Sequence, residues 1–297
     1  MKYRIGIIIS VLLSLSILAT SCGKTTTKIT SDISLRTVKF LFIAYNAGQY
    51  AQGSSGIQEY NYPAGTGFIV NNDGYVITAN HLLEMGKQFV QQSPAQVKKV
   101  VILIPPAPVT ESNVPFDTRP PVNDYDIIAR DETHDLALLK IKWNGQNEPT
   151  LPFMLHGYNI YTQTDSTISL GNAPIDTGII KNTSIAVTGY STDKTRPGPE
   201  TKTGTITSGE MTEVLDPVLT DSVGLAASSL DVSYSLTDYY ETDVISDTLL
   251  SGSPVYSPDN SAIMGMCINI PNSSGKTAVI PGKYILDLLK SNGVNIK

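Results

Sequence analysis

The chain alternates between short apolar segments and polar turns. Phe68–Val70 and Tyr75–Thr78 are rich in β-branched and aromatic residues, and Asn71–Gly74 between them ends in the Asp-Gly pair typical of hairpin turns. Further segments of this kind are predicted to be strands: Val38–Ala44, Val100–Ile104, Ile127–Ala129, Leu136–Ile141, Thr183–Thr188, Thr203–Thr207, Val223–Ala227 and Leu230–Tyr234. This spacing predicts an all-β protein, either one large domain or a pair of barrels.

Two segments show helical patterns instead. Leu82–Gln92 is predicted to form a short helix, and a second helix is predicted to begin at Pro281 and to end at Gly293. The second helix has one apolar stripe, formed by Tyr284, Ile285, Leu288 and Leu289. Such a stripe predicts that the helix packs on the β domain.

Residues 1–21 differ from the rest of the chain. A short basic start precedes an apolar run, Ile5 to Ala19, that is too short to cross a membrane comfortably and predicts an export signal. The segment Ala19–Gly23 resembles a bacterial lipobox, which implies lipidation of Cys22 and an anchor on the cell envelope. The same small residues also fit cleavage and release as a secreted protein. Residues 22–35 are then a tether, and the folded domain covers 36–297.

Charge and cysteine content limit which partners and which covalent cross-links are expected. The formal net charge is −6 and becomes −8 when removal of the signal takes away Lys2 and Arg4, so nucleic acid is not expected as a partner. The second cysteine, Cys267, is expected to be a small buried hydrophobic residue. If Cys22 carries lipid, no intramolecular disulfide is possible, and the fold depends on its apolar core.

Residues 105–121 contain six of the 18 prolines of the chain. Proline at this density excludes a central strand or a helix. The segment is therefore predicted to be an inserted surface loop, which either shapes access to a cleft or is a tolerated insertion.

Three separated motifs point to chemistry. His81 follows the first hairpin, Asp135 begins the segment Asp135–Lys140, and Ser251 begins the segment Ser251–Pro254. In this order they resemble the trypsin-like serine proteases, specifically the bacterial HtrA/Deg and glutamyl-endopeptidase type. The resemblance implies a chymotrypsin-like fold of two six-stranded antiparallel β-barrels, at about 36–150 and about 160–297, with a short C-terminal helix. No PDZ domain is expected after that helix.

The resemblance also implies roles for single residues. Ser251 is expected to attack the peptide carbonyl, His81 to accept the proton, and Asp135 to hold the imidazole in the required tautomer. The amides of Leu249 and Ser251 are expected to form the oxyanion hole. Leu249 stands where the family usually has glycine, which reaches positive φ far more easily, so the match is weakest at this hole.

Two classes of function follow. One is a serine endopeptidase that acts on proteins or peptides at the cell envelope; the other is a catalytically degenerate protease fold that binds peptides or protein partners. No cofactor is expected for either. Metal catalysis is disfavoured because His81, His134 and His156 lack paired metal-ligand spacing. His134 is expected to be a surface residue on the opposite face of an extended strand from Asp135.

Overall fold

A computed structural model describes most of the folded part of the chain. The described residues are 33–46, 59–71, 73–91, 96–103, 122–142, 154–158, 165–169, 172–191, 198–212, 219–225, 228–234, 236–245, 251–269 and 277–296. The predictions on Cys22 and on residues 105–121 fall outside these ranges. Among the residues within them, no helix has the length and apolar character that a membrane span requires.

The first half is a closed barrel of six antiparallel strands. The strands are β1 (Thr37–Asn46), β2 (Glu59–Ile69), β3 (Tyr75–Ala79), β4 (Gln96–Leu103), β5 (Val122–Asp131) and β6 (Leu136–Lys142). Their order is β1-β2-β3-β6-β5-β4, and β4 pairs with β1 to close the ring. Alternate residues of β1 point to the interior, where Val38, Phe40 and Phe42 are fully buried.

The predicted hairpin joins β2 to β3. Oδ1 of Asn71 accepts hydrogen bonds from the N–H groups of Asp73 (3.1 Å) and Tyr75 (3.3 Å). Gly74 has the positive φ, 78°, that the turn requires. The prediction of this hairpin is confirmed, and β3 leads directly from it into the first helix.

The described residues of the second half contain ten strands. They are β7 (Met154–Tyr158), β8 (Asp165–Ser169), β9 (Ser184–Gly189), β10 (Glu200–Thr205), β11 (Leu219–Leu225), β12 (Ser228–Tyr234), β13 (Tyr240–Thr242), β14 (Ser253–Tyr256), β15 (Ile263–Asn269) and β16 (Thr277–Pro281). Six of these strands form one antiparallel sheet in the order β10-β9-β14-β15-β16-β13, and the other four form the hairpins β7–β8 and β11–β12. An antiparallel bridge between Ile206 and Thr242 joins the two ends of the six-stranded sheet.

The described part of the chain also contains the helices α1 (Asn80–Gln91) and α2 (Gly282–Ser291), and residues 33–36 before β1 are helical as well. The predicted stripe on α2 is confirmed, since Ile285, Leu288 and Leu289 are buried, and Gly293 follows the helix with φ 71°. The predicted chymotrypsin-like all-β fold, with two six-stranded antiparallel units and a short C-terminal helix, is confirmed.

The described residues directly before β1 pack against the fold. Ile33 and Leu35 are only 2% and 6% exposed and belong to the apolar core. The limits of the tether, 22–35, and of the folded domain, 36–297, stay predictions. The limits of about 36–150 and about 160–297 for the two barrels stay predictions.

Candidate active site

Strand pairing brings His81 and Asp135 together. β3 pairs with β6 so that Ala79 lies opposite Leu136, and a 2.9 Å bond from the Asn80 N–H to the Asp135 carbonyl extends this ladder. His81 follows Asn80 as the second residue of α1. The register of two strands therefore places the two side chains next to each other.

The Asp135 carboxylate contacts His81 through both of its oxygens. Oδ2 lies 2.5 Å from Nδ1 of the imidazole, and Oδ1 accepts a 2.7 Å bond from the His81 backbone N–H. Both residues are 1% exposed. Because an ionised carboxylate only accepts hydrogen bonds, this contact assigns the imidazole proton to Nδ1 and leaves Nε2 with a lone pair. Asp135 has φ 52°, a left-handed conformation that Asp adopts more readily than most side chains.

Ser251 lies in a tight turn before β14 that contacts both halves. Its carbonyl accepts a 3.0 Å bond from the Thr66 N–H of β2, and the Gly252 N–H donates to the Cys267 carbonyl of β15 at 2.8 Å. Gly252 has φ 87°, and a Cβ there would lie 1.9 Å from the Thr66 carbonyl oxygen. The turn therefore requires glycine after Ser251.

Asn269 and Tyr234 connect Ser251 with His81. The Ser251 hydroxyl oxygen accepts a 3.1 Å bond from the Asn269 N–H. The Asn269 carbonyl accepts a 2.9 Å bond from the Tyr234 hydroxyl, and the Tyr234 ring stacks on the His81 imidazole with centroids 4.2 Å apart and planes inclined by 11°. His81, Asp135 and Ser251 thus lie in one buried region, the first two in direct contact and the third linked through these two residues.

Sequence reasoning missed Tyr234 and Asn269. Each is the last residue of a strand, β12 and β15 respectively, and no local pattern separates them from other strand residues. Leu249, which is predicted to contribute to the oxyanion hole, lies outside the described residues. Cys267 is fully buried, which confirms its interpretation as a small core residue.

His134 is not the surface residue that the sequence suggested. The segment before Asp135 forms a turn, not an extended strand, and the His134 side chain is 14% exposed. Its Nδ1 lies 2.6 Å from Asp131 Oδ2 and its Nε2 3.5 Å from Asp238 Oδ2. Its ring stacks on Tyr284 of α2 with centroids 3.7 Å apart. This contact network links the turn that carries Asp135 to the second half.

Buried hydroxyl groups surround the Ser251 turn. The Thr78 hydroxyl donates to the Thr66 carbonyl at 2.7 Å, and the Thr66 hydroxyl oxygen accepts a 3.2 Å bond from the Tyr190 N–H. Burial raises the pKa of Tyr190, so its ring stays neutral at any ordinary pH. Within the described ranges, no group of three or more His, Cys, Asp or Glu side chains is arranged to hold a metal ion.

Together, the fold and the site define a class of protein. Two six-stranded antiparallel units, with a buried His–Asp pair on one and a serine turn docked against it from the other, are the arrangement of chymotrypsin-like proteins. The family model described as "Trypsin-like peptidase domain" matches residues 65–266, a range that includes His81, Asp135 and Ser251. The chain belongs to this family.

Comparison with individual proteins gives distant relationships. No curated protein sequence matches the chain. Among solved structures it is similar to the apo MamO protease domain of Magnetospirillum magneticum, with 15% identity and a TM-score of 0.49, over 86% of this chain and 96% of that chain. It is also similar to the HtrA-type protease AlgW solved with a decapeptide, with 13% identity and a TM-score of 0.53, over 90% of this chain and 67% of that chain. At this identity, the likeness to AlgW supports the fold alone.

Proposed function

We propose that this protein is a serine endopeptidase. The observation that carries the proposal is the buried contact of His81 with both oxygens of Asp135, at 2.5 and 2.7 Å, in the same region as a serine fixed between the two halves. In a trypsin-like peptidase, this arrangement makes Nε2 of His81 the general base and Ser251 the nucleophile.

The proposed reaction has two halves. The Ser251 hydroxyl oxygen attacks the carbonyl carbon of the scissile peptide bond while Nε2 of His81 takes the hydroxyl proton. The imidazolium then gives this proton to the leaving nitrogen, the C–N bond breaks, and an acyl-enzyme remains. A water molecule attacks the ester with His81 again as base, which releases the carboxylic acid and restores Ser251.

Asp135 contributes through position and charge. Its Oδ2 accepts a hydrogen bond from the Nδ1–H group, which fixes the orientation of the ring, and its negative charge at 2.5 Å stabilises the imidazolium that forms. Its Oδ1 holds the His81 main chain. One carboxylate therefore positions both the ring and the backbone of the proposed base.

We assign the oxyanion hole to the amides of Leu249 and Ser251. One donor of this kind contributes about 10²–10³-fold to turnover. Because Leu249 replaces the glycine usual in the family, the hole is proposed to limit the rate of this protein.

Fluorophosphonate labelling tests the proposed reaction, because this reagent modifies activated serine hydroxyls. We expect labelling at Ser251 in the wild type and its loss in Ser251→Ala and in His81→Ala, with little further loss in the double variant. Asp135→Asn should retain a small residual rate. Ser253→Ala is the matched control: the Ser253 hydroxyl is buried and has no hydrogen-bond partner among the described residues, so its removal should leave labelling intact.

We further propose that the mature protein begins at a lipidated Cys22 and acts on proteins or peptides at the cell envelope. The lipobox-like segment Ala19–Gly23 supports the anchor, and the decapeptide held by AlgW, which shares the fold, supports a peptide ligand. Mass spectrometry of the membrane fraction should find acyl chains on Cys22. An unmodified Cys22 on protein released into the medium would favour the secreted alternative.

A second candidate function is a degenerate protease fold that binds peptides or protein partners. The observation that favours it is closure of the site, since Ser251 and His81 are 0% and 1% exposed. This hypothesis predicts that folded wild type and folded Leu249→Gly both remain unlabelled. It also predicts that calorimetry measures the same peptide affinity for wild type and for Ser251→Ala.

A further inference from the structure

The β11–β12 hairpin covers the proposed active site. Its strands pair from Leu219↔Tyr234 to Leu225↔Ser228, and in the described part of the chain they pair with no other strand. The hairpin lies in the sequence between β10 and β13 of the second half, yet it packs against α1 and β2 of the first. It therefore reaches from one half to the other, where its last residue, Tyr234, meets His81.

Tyr234 makes the contacts that close the site. Its ring lies nearly parallel to the His81 imidazole at 4.2 Å, and its hydroxyl is bonded to the Asn269 carbonyl at 2.9 Å. One face of His81 is covered in this way, and the Ser251 hydroxyl is buried beside Asn269. A scissile carbonyl must come within reach of both Ser251 and Nε2 of His81 to react, so this closed arrangement does not admit a substrate.

Within the described ranges, the hairpin is not part of the strand pairing of either six-stranded unit. Because its strands are paired only with each other among the described residues, its displacement breaks no ladder of either six-stranded unit. Its closed position is stabilised by its packing against α1 and β2 and by the burial of Val232 in the apolar core. The stacking of Tyr234 on His81 and its hydrogen bond to Asn269 add to this. The two Tyr234 contacts favour a closed state by about 5- to 100-fold, a ratio that differential binding of a ligand can reverse.

We propose that the β11–β12 hairpin is a lid and that Tyr234 holds it closed over His81. Displacement of Tyr234, by a peptide substrate or by a partner that binds the hairpin, opens the site. The consequence for catalysis rests on the proposed function, because closure restrains a reaction only if Ser251 reacts. The closure itself is a property of the fold and is testable separately.

Two readouts separate the lid from the reaction. Diethyl pyrocarbonate modifies accessible imidazole nitrogens, so the modification rate of His81, measured by peptide mass spectrometry, reports opening without any need for catalysis. Fluorophosphonate labelling of Ser251 reports the reaction. Tyr234→Ala removes the stacking on His81 and the hydrogen bond to Asn269, and Tyr234→Phe keeps the ring but removes that hydrogen bond. Tyr75→Ala is the matched control, because Tyr75 is a half-buried tyrosine at the first position of β3, and the other end of that strand leads into the helix that carries His81.

We expect Tyr234→Ala to raise the His81 modification rate about 5- to 100-fold and Tyr234→Phe to raise it about 2- to 10-fold, with Tyr75→Ala unchanged. Labelling of Ser251 should rise in parallel. Equal His81 modification in wild type and both Tyr234 variants overturns the lid, and Tyr234→Phe gives this answer even if Tyr234→Ala does not fold. Faster His81 modification with slower Ser251 labelling also overturns it, since Tyr234 would then position the base. If His81 modification is faster in the Tyr234 variants but Ser251 is labelled in neither the wild type nor any variant, the lid is supported and the proposed endopeptidase function is overturned.

Discussion

Replacement of Gly252 by alanine tests how the Ser251 turn is held between the two halves. Gly252 has φ 87°, and a Cβ at this position would lie 1.9 Å from the Thr66 carbonyl oxygen and 2.8 Å from the Thr78 hydroxyl oxygen. Thr66 has little freedom to retreat. Its N–H is bonded to the Ser251 carbonyl at 3.0 Å, and its carbonyl accepts the Thr78 hydroxyl at 2.7 Å.

Two costs add in this variant. A side chain in the left-handed region costs about 1–2 kcal/mol, because Cβ approaches the following carbonyl oxygen. Forcing a methyl group into a packed site costs about 1–3 kcal/mol more. We therefore expect Gly252→Ala to lower the free energy of unfolding by about 2–5 kcal/mol, and to slow Ser251 labelling by more than the loss of folded protein explains.

Gly293→Ala separates the two costs. Gly293 also has a positive φ, 71°, but a Cβ there would meet no heavy atom within 4 Å. This control should lose about 1–2 kcal/mol from the backbone conformation alone. Urea unfolding followed by circular dichroism measures both variants against wild type. An equal loss in the two variants would refute the close approach of Thr66 to the turn.

Three further substitutions test other parts of the structure. Burial raises the pKa of Tyr125 from 10 to about 12. The unfolded chain therefore loses the phenol proton at a lower pH than the folded protein, so the free energy of unfolding falls as the pH rises from about 10 to 12. Tyr125→Phe should remove up to about 2.7 kcal/mol of that loss, measured by urea unfolding at both ends of the range. His134→Ala removes the contacts with Asp131 and Asp238 and should cost about 1–3 kcal/mol in the same assay; no loss would show that this network contributes nothing. Leu249→Gly should speed Ser251 labelling, because it frees the backbone of the oxyanion segment; an unchanged rate would show that Leu249 is not the restraint.

Local patterns were enough to predict most strands and the first hairpin. The Asp-Gly turn, the buried strand β3 and the apolar strand β6 are each visible in the sequence, because they depend on residues close together along the chain. The contact of His81 with Asp135 follows from the pairing of these two strands. The resemblance to a known family supplied the pairing that spacing alone leaves open.

The residues that sequence reasoning missed depend on tertiary packing. Tyr234 ends a strand like many others, and its importance arises because the hairpin folds across to the first barrel. The predicted surface position of His134 is wrong for a related reason. Alternation of faces applies to an extended strand, but Asp135 sits at the end of a turn with positive φ, so its neighbour His134 points toward the second half instead of to solvent.

The groups that hold Ser251 and His81 differ in kind, and this difference indicates where control of the site lies. Ser251 is fixed by backbone bonds from Thr66 and Asn269, and His81 is fixed by a carboxylate that belongs to the adjoining turn. Thr66 and Asn269 lie on strands of the two six-stranded units, and Asp135 directly precedes β6. The Tyr234 ring, in contrast, covers His81 from a hairpin that is paired into neither six-stranded unit among the described residues. The proposed chemistry thus depends on the strand-paired parts of the fold, and we expect regulation to act on Tyr234 and not on the proposed triad.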